Sequence, residues 1–207
     1  MKIYLVGFMG CGKTTIGKRL AKRFEYSFVD MDELFSTVHN CSVKDYFDLY
    51  SEEQFRIEEQ KILYLTQSMN DTVIATGGGT PCYQDNMQWI LSNGVTVYIK
   101  MSVSALHRRL SNSKIQRPLL TSPSDQDLKN TIEKLLSQRE SVYNMAHIAV
   151  SGLNFDEVSY TPTPETYPPY VQSYGTGRNL RRRAIRGKCV LSSCAFWQEI
   201  QSQDTFF

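Results

Sequence analysis

Residues 7–14 read Gly7-Phe8-Met9-Gly10-Cys11-Gly12-Lys13-Thr14, which follows the pattern G-x-x-x-x-G-K-S/T without a mismatch. A short apolar run at 3–6 precedes it, and an amphipathic helical pattern at 14–24 follows it. This strand–loop–helix context constrains the chain more than any other feature. Glycines let the backbone turn so that successive N–H groups point into one concavity, and the following helix N-terminus adds partial positive charge. Gly10, Cys11, Gly12, Lys13, Thr14 and Thr15 therefore form a candidate phosphate cradle. In such a loop the lysine reaches the outer phosphates of a nucleotide and the Thr14 hydroxyl can ligate Mg²⁺.

A phosphate loop of this kind belongs in an α/β sheet, and the rest of the pattern agrees. Runs rich in Val, Ile and Tyr recur at 3–6, 27–29, 72–75, 95–99 and 147–150. They are short and continuous, as expected of strands buried on both faces of a parallel sheet. Helical patterns separate them at 14–24, 51–69, 85–91, 104–110 and 125–143. Ser51 and Ser124 stand where N-caps are expected, and Ser51 with Gln54 has the spacing of a capping box. Strands alternating with helices predict a three-layer α/β domain with five parallel strands.

Three further signals fall near the expected carboxyl ends of strands, where ligands bind in open α/β sheets. Asp30-Met31-Asp32 closes the second run, and alternation in an extended segment puts both carboxylates on one side. Two carboxylates there can divide two tasks, holding Mg²⁺ and engaging a substrate hydroxyl. Gly77-Gly78-Gly79 follows the third run and lets a ligand approach the backbone closely. Arg56 on the long helix and Arg139 near the end of the last one have the planar fork that suits a carboxylate. Arg117 lies in a polar segment, 111–124, punctuated by Pro118 and Pro123, with the character of a lid.

Composition sets the outer limits. The chain has 207 residues, 41% of them hydrophobic, and 23 basic against 21 acidic side chains. That supports a packed core and argues against a general polyanion binder. No apolar stretch reaches the roughly 18 residues of a membrane span, and the N-terminus lacks the apolar core of a signal peptide. Cys11, Cys41, Cys82, Cys189 and Cys194 are odd in number and widely spaced, which points to free thiols in a reducing cytoplasm.

Taken together these segments resemble the shikimate kinase family. The phosphate loop, Phe28-Val29-Asp30-Met31-Asp32, Glu52 with Phe55-Arg56 and Glu59, the glycine triplet, Arg117-Pro118-Leu119-Leu120, and Arg139 with Tyr143 occur in that family's order at similar spacing. The resemblance spans residues 1 to about 150. It implies a P-loop kinase fold with a mobile lid that transfers the γ-phosphate of ATP, with Mg²⁺, to the 3-hydroxyl of shikimate. On that resemblance Lys13, Asp32 and Arg117 are catalytic, and Thr14 and Asp30 hold the metal. Asp32, Arg56, Gly78, Gly79 and Arg139 hold shikimate, and Arg109 lies against the adenine. The implied enzyme is a cytoplasmic monomer with no nucleic-acid or membrane partner. A gluconate or nucleotide kinase is the nearest alternative, and a nucleotide-binding protein with impaired catalysis is another.

The resemblance ends near residue 154. Residues 155–207 carry four of the seven prolines and a basic run at 178–188, without the amphipathic helix expected after the fifth strand. The reading is thus a kinase domain at 1–154 and an atypical Pro-, Tyr- and Arg-containing tail at 155–207.

Overall fold

The computed structural model describes residues 1–112, 124–153 and, for the backbone, 158–160. Five parallel strands, β1 (Lys2–Val6), β2 (Ser27–Asp30), β3 (Thr72–Ala75), β4 (Val95–Lys100) and β5 (Ile148–Ser151), form one sheet. A sixth, β6 (Val158–Tyr160), pairs antiparallel with β5 and completes the order β2-β3-β1-β4-β5-β6. The five expected strands are therefore present, and the sheet carries one further short edge strand beyond residue 154.

Alternation along the central strands divides the core into two layers. Ile3, Leu5 and Val73 face one side, where they meet Ile16 and Leu20 of α1 (Lys13–Phe24), Leu106 of α6 (Val103–Ser111), and Ile132 and Leu136 of α7 (Asp125–Tyr143). Tyr4 and Ile74 face the other side. There they meet Phe35 of α2 (Met31–His39), Tyr46 of α3 (Val43–Leu49), Ile62 of α4 (Glu52–Leu65) and Ile90 of α5 (Asn86–Asn93). Burying β1 and β3 on both faces supplies the main apolar driving force, and it explains why these strands read as unbroken apolar runs.

Serine caps start the helices where the sequence placed them. Ser51 Oγ accepts from the Gln54 N–H at 3.2 Å, and Ser124 Oγ from the Asp127 N–H at 3.1 Å. Two helices were not expected. Asp30 ends β2 in an extended conformation, and its side chain accepts from the Asp32 N–H at 3.1 Å. That bond starts α2 at once, so Asp30 and Asp32 do not share a face of an extended segment. Asp32 instead lies in the first turn of a helix, where a carboxylate is favoured by the helix dipole. Ser42, capping α3 through the Asp45 N–H at 3.1 Å, gives the same kind of start.

One buried base is unused by any ligand chemistry and sets a pH response. His147 is 6% exposed, and its Nδ1 accepts from the Thr96 backbone N–H at 3.0 Å, which fixes the neutral ring. Burial lowers its pKa from 6.5 to about 4. The unfolded chain therefore takes up a proton that the folded chain refuses, so the contribution of His147 is full above pH 6.5 and is lost as pH falls toward 4. The stability advantage of the wild-type chain over His147→Asn should shrink through that window and stay constant above it. Urea unfolding of both chains across the range checks this, and a pH-independent difference would refute it.

Candidate active site

The phosphate loop joins β1 to α1 at the carboxyl edge of the sheet. Gly7, Gly10 and Gly12 have φ of 141°, 81° and 102°, a region that favours glycine, so the turn depends on all three. Lys13 is buried, and its Nζ donates to the carbonyls of Gly7 at 2.8 Å and Phe8 at 3.0 Å. The ammonium thus lies folded along the loop that the sequence assigns to phosphate. Cys11 is fully buried, whereas Thr15 is exposed on the first turn of α1. Arg109 donates to the Cys11 carbonyl at 3.2 Å and to the Gly152 carbonyl at 3.3 Å, joining the loop to the turn after β5.

Beside the loop, Thr14 Oγ1 donates to Asp30 Oδ2 at 2.7 Å. A hydroxyl and a carboxylate so placed are hard oxygen donors of the type Mg²⁺ takes. Magnesium in kinases rides mainly on substrate phosphates and water, with only one or two protein ligands. Among the described residues no group of three or more His, Cys, Asp or Glu could hold a metal ion.

The second half of the site gathers on the glycine triplet after β3. Arg56 is 8% exposed and donates to Glu59 Oε2 at 2.7 Å and to Glu52 Oε1 at 3.1 Å. Burial alone would lower its pKa, but the two glutamates outweigh that and hold its charge. The triplet is glycine because its neighbours fill the space that side chains would need. A Cβ on Gly79 would stand 2.5 Å from the Arg56 guanidinium, and one on Gly77 would stand 2.4 Å from Glu59 Oε1 and 3.4 Å from Asp32 Oδ1. Gly78 faces the phosphate loop, with the Met9 backbone nitrogen 3.1 Å from a would-be Cβ.

Arg139 approaches from α7, with its guanidinium 6.0 Å from the centre of the Phe8 ring. Tyr143, one turn further along, donates to the Gly78 carbonyl and also interacts with Arg139. Burial raises the pKa of the Tyr143 hydroxyl, so it stays a donor at any ordinary pH. Arg139 Nη1 is shielded from solvent and has no hydrogen-bond partner among the described residues. A buried donor without an acceptor is costly, and an anionic oxygen would satisfy it. Burial raises the pKa of the Cys82 thiol, and the charges of Arg139 and Arg56 both oppose that rise.

The structure thus gathers Gly78, Gly79, Arg56 and Arg139 on one wall, with Asp32 beside Gly77. Lys13, Thr14, Asp30, Gly10, Gly12 and Arg109 lie at the phosphate loop. Arg117 and the remainder of the lid reading at 113–123 fall outside the described residues. Glu59 stood in the helix motif without a role of its own, which its ion pair with Arg56 at i,i+3 now supplies; Thr80 was not among the expected site residues. Thr80 carries no comparable local signal.

Comparison with known proteins identifies the family. The model of the family described as "SKI: Shikimate kinase" matches residues 9–158. A shikimate kinase of Azobacteroides pseudotrichonymphae genomovar. CFP2 is 43% identical over 148 residues, 71% of this chain and 87% of the relative. The solved shikimate kinase of Bacteroides thetaiotaomicron superposes with a TM-score of 0.71 at 33% identity, covering 76% of this chain and 89% of that one. The Acinetobacter baumannii enzyme, solved in complex with shikimate, gives 0.68 at 31% identity, covering 72% and 82%. With the match extending over most of both partners, the chain belongs to the shikimate kinase family.

Proposed function

We propose that the chain transfers the γ-phosphoryl group of ATP, bound with Mg²⁺, to the 3-hydroxyl of shikimate. The observation that carries this reading is a pair of arginines beside the phosphate loop: Arg56 lies against Gly79, and Arg139 lies near the Phe8 ring and Tyr143, which bonds Gly78. A guanidinium has five N–H donors. Glu52 and Glu59 engage Arg56 while leaving it donors for a carboxylate, and the unpartnered Nη1 of Arg139 adds another. Shikimate offers that carboxylate together with ring hydroxyls. Gluconate and nucleotide acceptors are not favoured, since the matched relatives are shikimate kinases.

Phosphoryl transfer through a loose transition state depends on positioning and charge neutralisation more than on covalent chemistry. In this reading the Lys13 ammonium exchanges the Gly7 and Phe8 carbonyls for phosphate oxygens, swapping one set of oxygen acceptors for another. Thr14 and Asp30 would hold Mg²⁺, which when bound neutralises phosphate charge. Asp32, exposed at the start of α2, orients the acceptor hydroxyl and takes its proton late in transfer. Arg109 contributes to the nucleotide side, and the family resemblance gives Arg117 the closing positive charge.

The free thiols Cys11, Cys41 and Cys82 support a reducing, cytoplasmic setting, in which we read the chain as a monomer. Among the described residues no helix is long and apolar enough to cross a membrane. We read residues 1–154 as the catalytic unit, since every described group named above lies within it, and 155–207 as an appendage.

Lys13→Ala should abolish turnover while the far-UV circular dichroism stays that of the wild type. Retention of more than about a tenth of the rate, worth only ~1.4 kcal/mol of barrier, would refute the phosphate-loop assignment.

Arg56→Lys and Arg139→Lys keep the charge but lose the planar fork. A lost charge-assisted hydrogen bond is worth about 1.5–3 kcal/mol, so KM for shikimate should rise roughly ten- to a hundredfold. KM for ATP should barely move. Asp32→Asn should instead lower kcat more than it weakens binding. Steady-state kinetics with each substrate varied in turn separates the roles, and equal effects of Arg→Lys on both KM values would count against the clamp.

A further inference from the structure

We propose that Thr80 is a positioning residue for the acceptor: its hydroxyl fixes Glu59, and through Glu59 the plane of the Arg56 guanidinium. The inference rests on the acceptor role proposed above for Arg56 and extends it to residues that touch no substrate.

The Glu59 carboxylate is 4% exposed, and each of its oxygens has its own donor. Oε2 accepts from Arg56 at 2.7 Å, and Oε1 accepts from Thr80 Oγ1 at 2.6 Å. Removing either donor frees the carboxylate to rotate or leaves part of its charge unpaired in the interior, which is costly. Thr80 is itself fully buried and β-branched, so its χ1 is stiff and its hydroxyl keeps one direction. Valine would fill the same volume without a polar atom to bury. What the hydroxyl adds over valine is its bond to Glu59.

Thr80 is anchored in turn. It opens the short 3₁₀ turn Thr80–Cys82, and its carbonyl accepts from Asn86 Nδ2 at 2.8 Å. Asn86, fully buried at the start of α5, accepts at Oδ1 from Gln60 Nε2 at 2.8 Å. Gln60 is the residue after Glu59 on α4. The hydrogen bonds thus leave α4 at Glu59, cross the turn and α5, and return to α4 at Gln60. This ring ties the helix carrying Arg56 to the turn that follows the glycine triplet. It also reaches toward the phosphoryl acceptor: a Cβ on Gly77 would lie 2.7 Å from Thr80 Oγ1 and 3.4 Å from Asp32 Oδ1. An acceptor bearing a carboxylate is the ligand class such a ring serves, because it holds the guanidinium in one orientation before the ligand arrives.

The test is steady-state kinetics of the full chain carrying Thr80→Val or Thr80→Ser. Thr80→Val should raise KM for shikimate roughly tenfold, the size of one hydrogen bond to a charged group, and leave KM for ATP near its wild-type value. Thr80→Ser, which keeps the hydroxyl, should restore most of the loss. In an Arg56→Lys background Thr80→Val should add little, because both changes act on one contact. If Thr80→Val does not fold, Thr80→Ser and Thr80→Ala differ only by the hydroxyl and are compared in the same way. Wild-type KM for shikimate in the hydroxyl-less variant, equal rises for both substrates, or full additivity with Arg56→Lys would each overturn the inference while leaving the proposed function standing. Failure of the wild-type chain to turn over shikimate would overturn that function, and this inference with it.

Discussion

The close approach of two backbone segments governs this molecule. Gly78 lies so near Met9 that a Cβ there would stand 3.1 Å from the Met9 nitrogen. The sheet order makes this contact unavoidable, since β1 and β3 are neighbours and end at the same edge. The phosphate loop continues one strand and the glycine triplet continues the other. On the proposed reading the pairing of β1 with β3 therefore sets the separation between the phosphate donor and the acceptor. Tyr143 closes the arrangement from α7 by donating to the Gly78 carbonyl. A larger side chain at 78 would push the two halves apart, and displacements of an ångström at a reacting centre are expensive in rate.

Charge is distributed to match. Lys13 is held by carbonyls, Arg56 by two glutamates, and Arg139 by little beyond Tyr143 and the Phe8 ring. A buried donor left without an acceptor is costly until something satisfies it. The site thus has one preset cation in Arg56 and one underused cation in Arg139. On the proposed reading a carboxylate-bearing acceptor meets both, so part of the orientation needed for phosphoryl transfer is in place beforehand.

The features that could be read from the sequence are those encoded locally. The buried strands read as apolar runs because both faces are covered, and the Ser51 and Ser124 caps act where their spacing put them. The phosphate loop is legible because glycine is needed at Gly10 and Gly12 for their positive φ. The features that escaped depend on distant partners. Asp30-Met31-Asp32 reads as the end of a strand until the Asp30 side chain is seen capping the next helix. The reason for three consecutive glycines was only partly legible: the Arg56 and Glu59 side chains occupy the room at Gly79 and Gly77. The bond between Tyr143 and Gly78 spans 65 residues, and no local pattern announces it.

Turnover with different acceptors tests most directly whether the arginine pair selects shikimate. ADP release by the full chain with Mg·ATP would be followed with shikimate, gluconate and AMP side by side. Shikimate should raise the rate well above that without acceptor, while gluconate and AMP leave it near that background. Stimulation by gluconate or AMP equal to or above that by shikimate, or no stimulation by shikimate, would contradict this account.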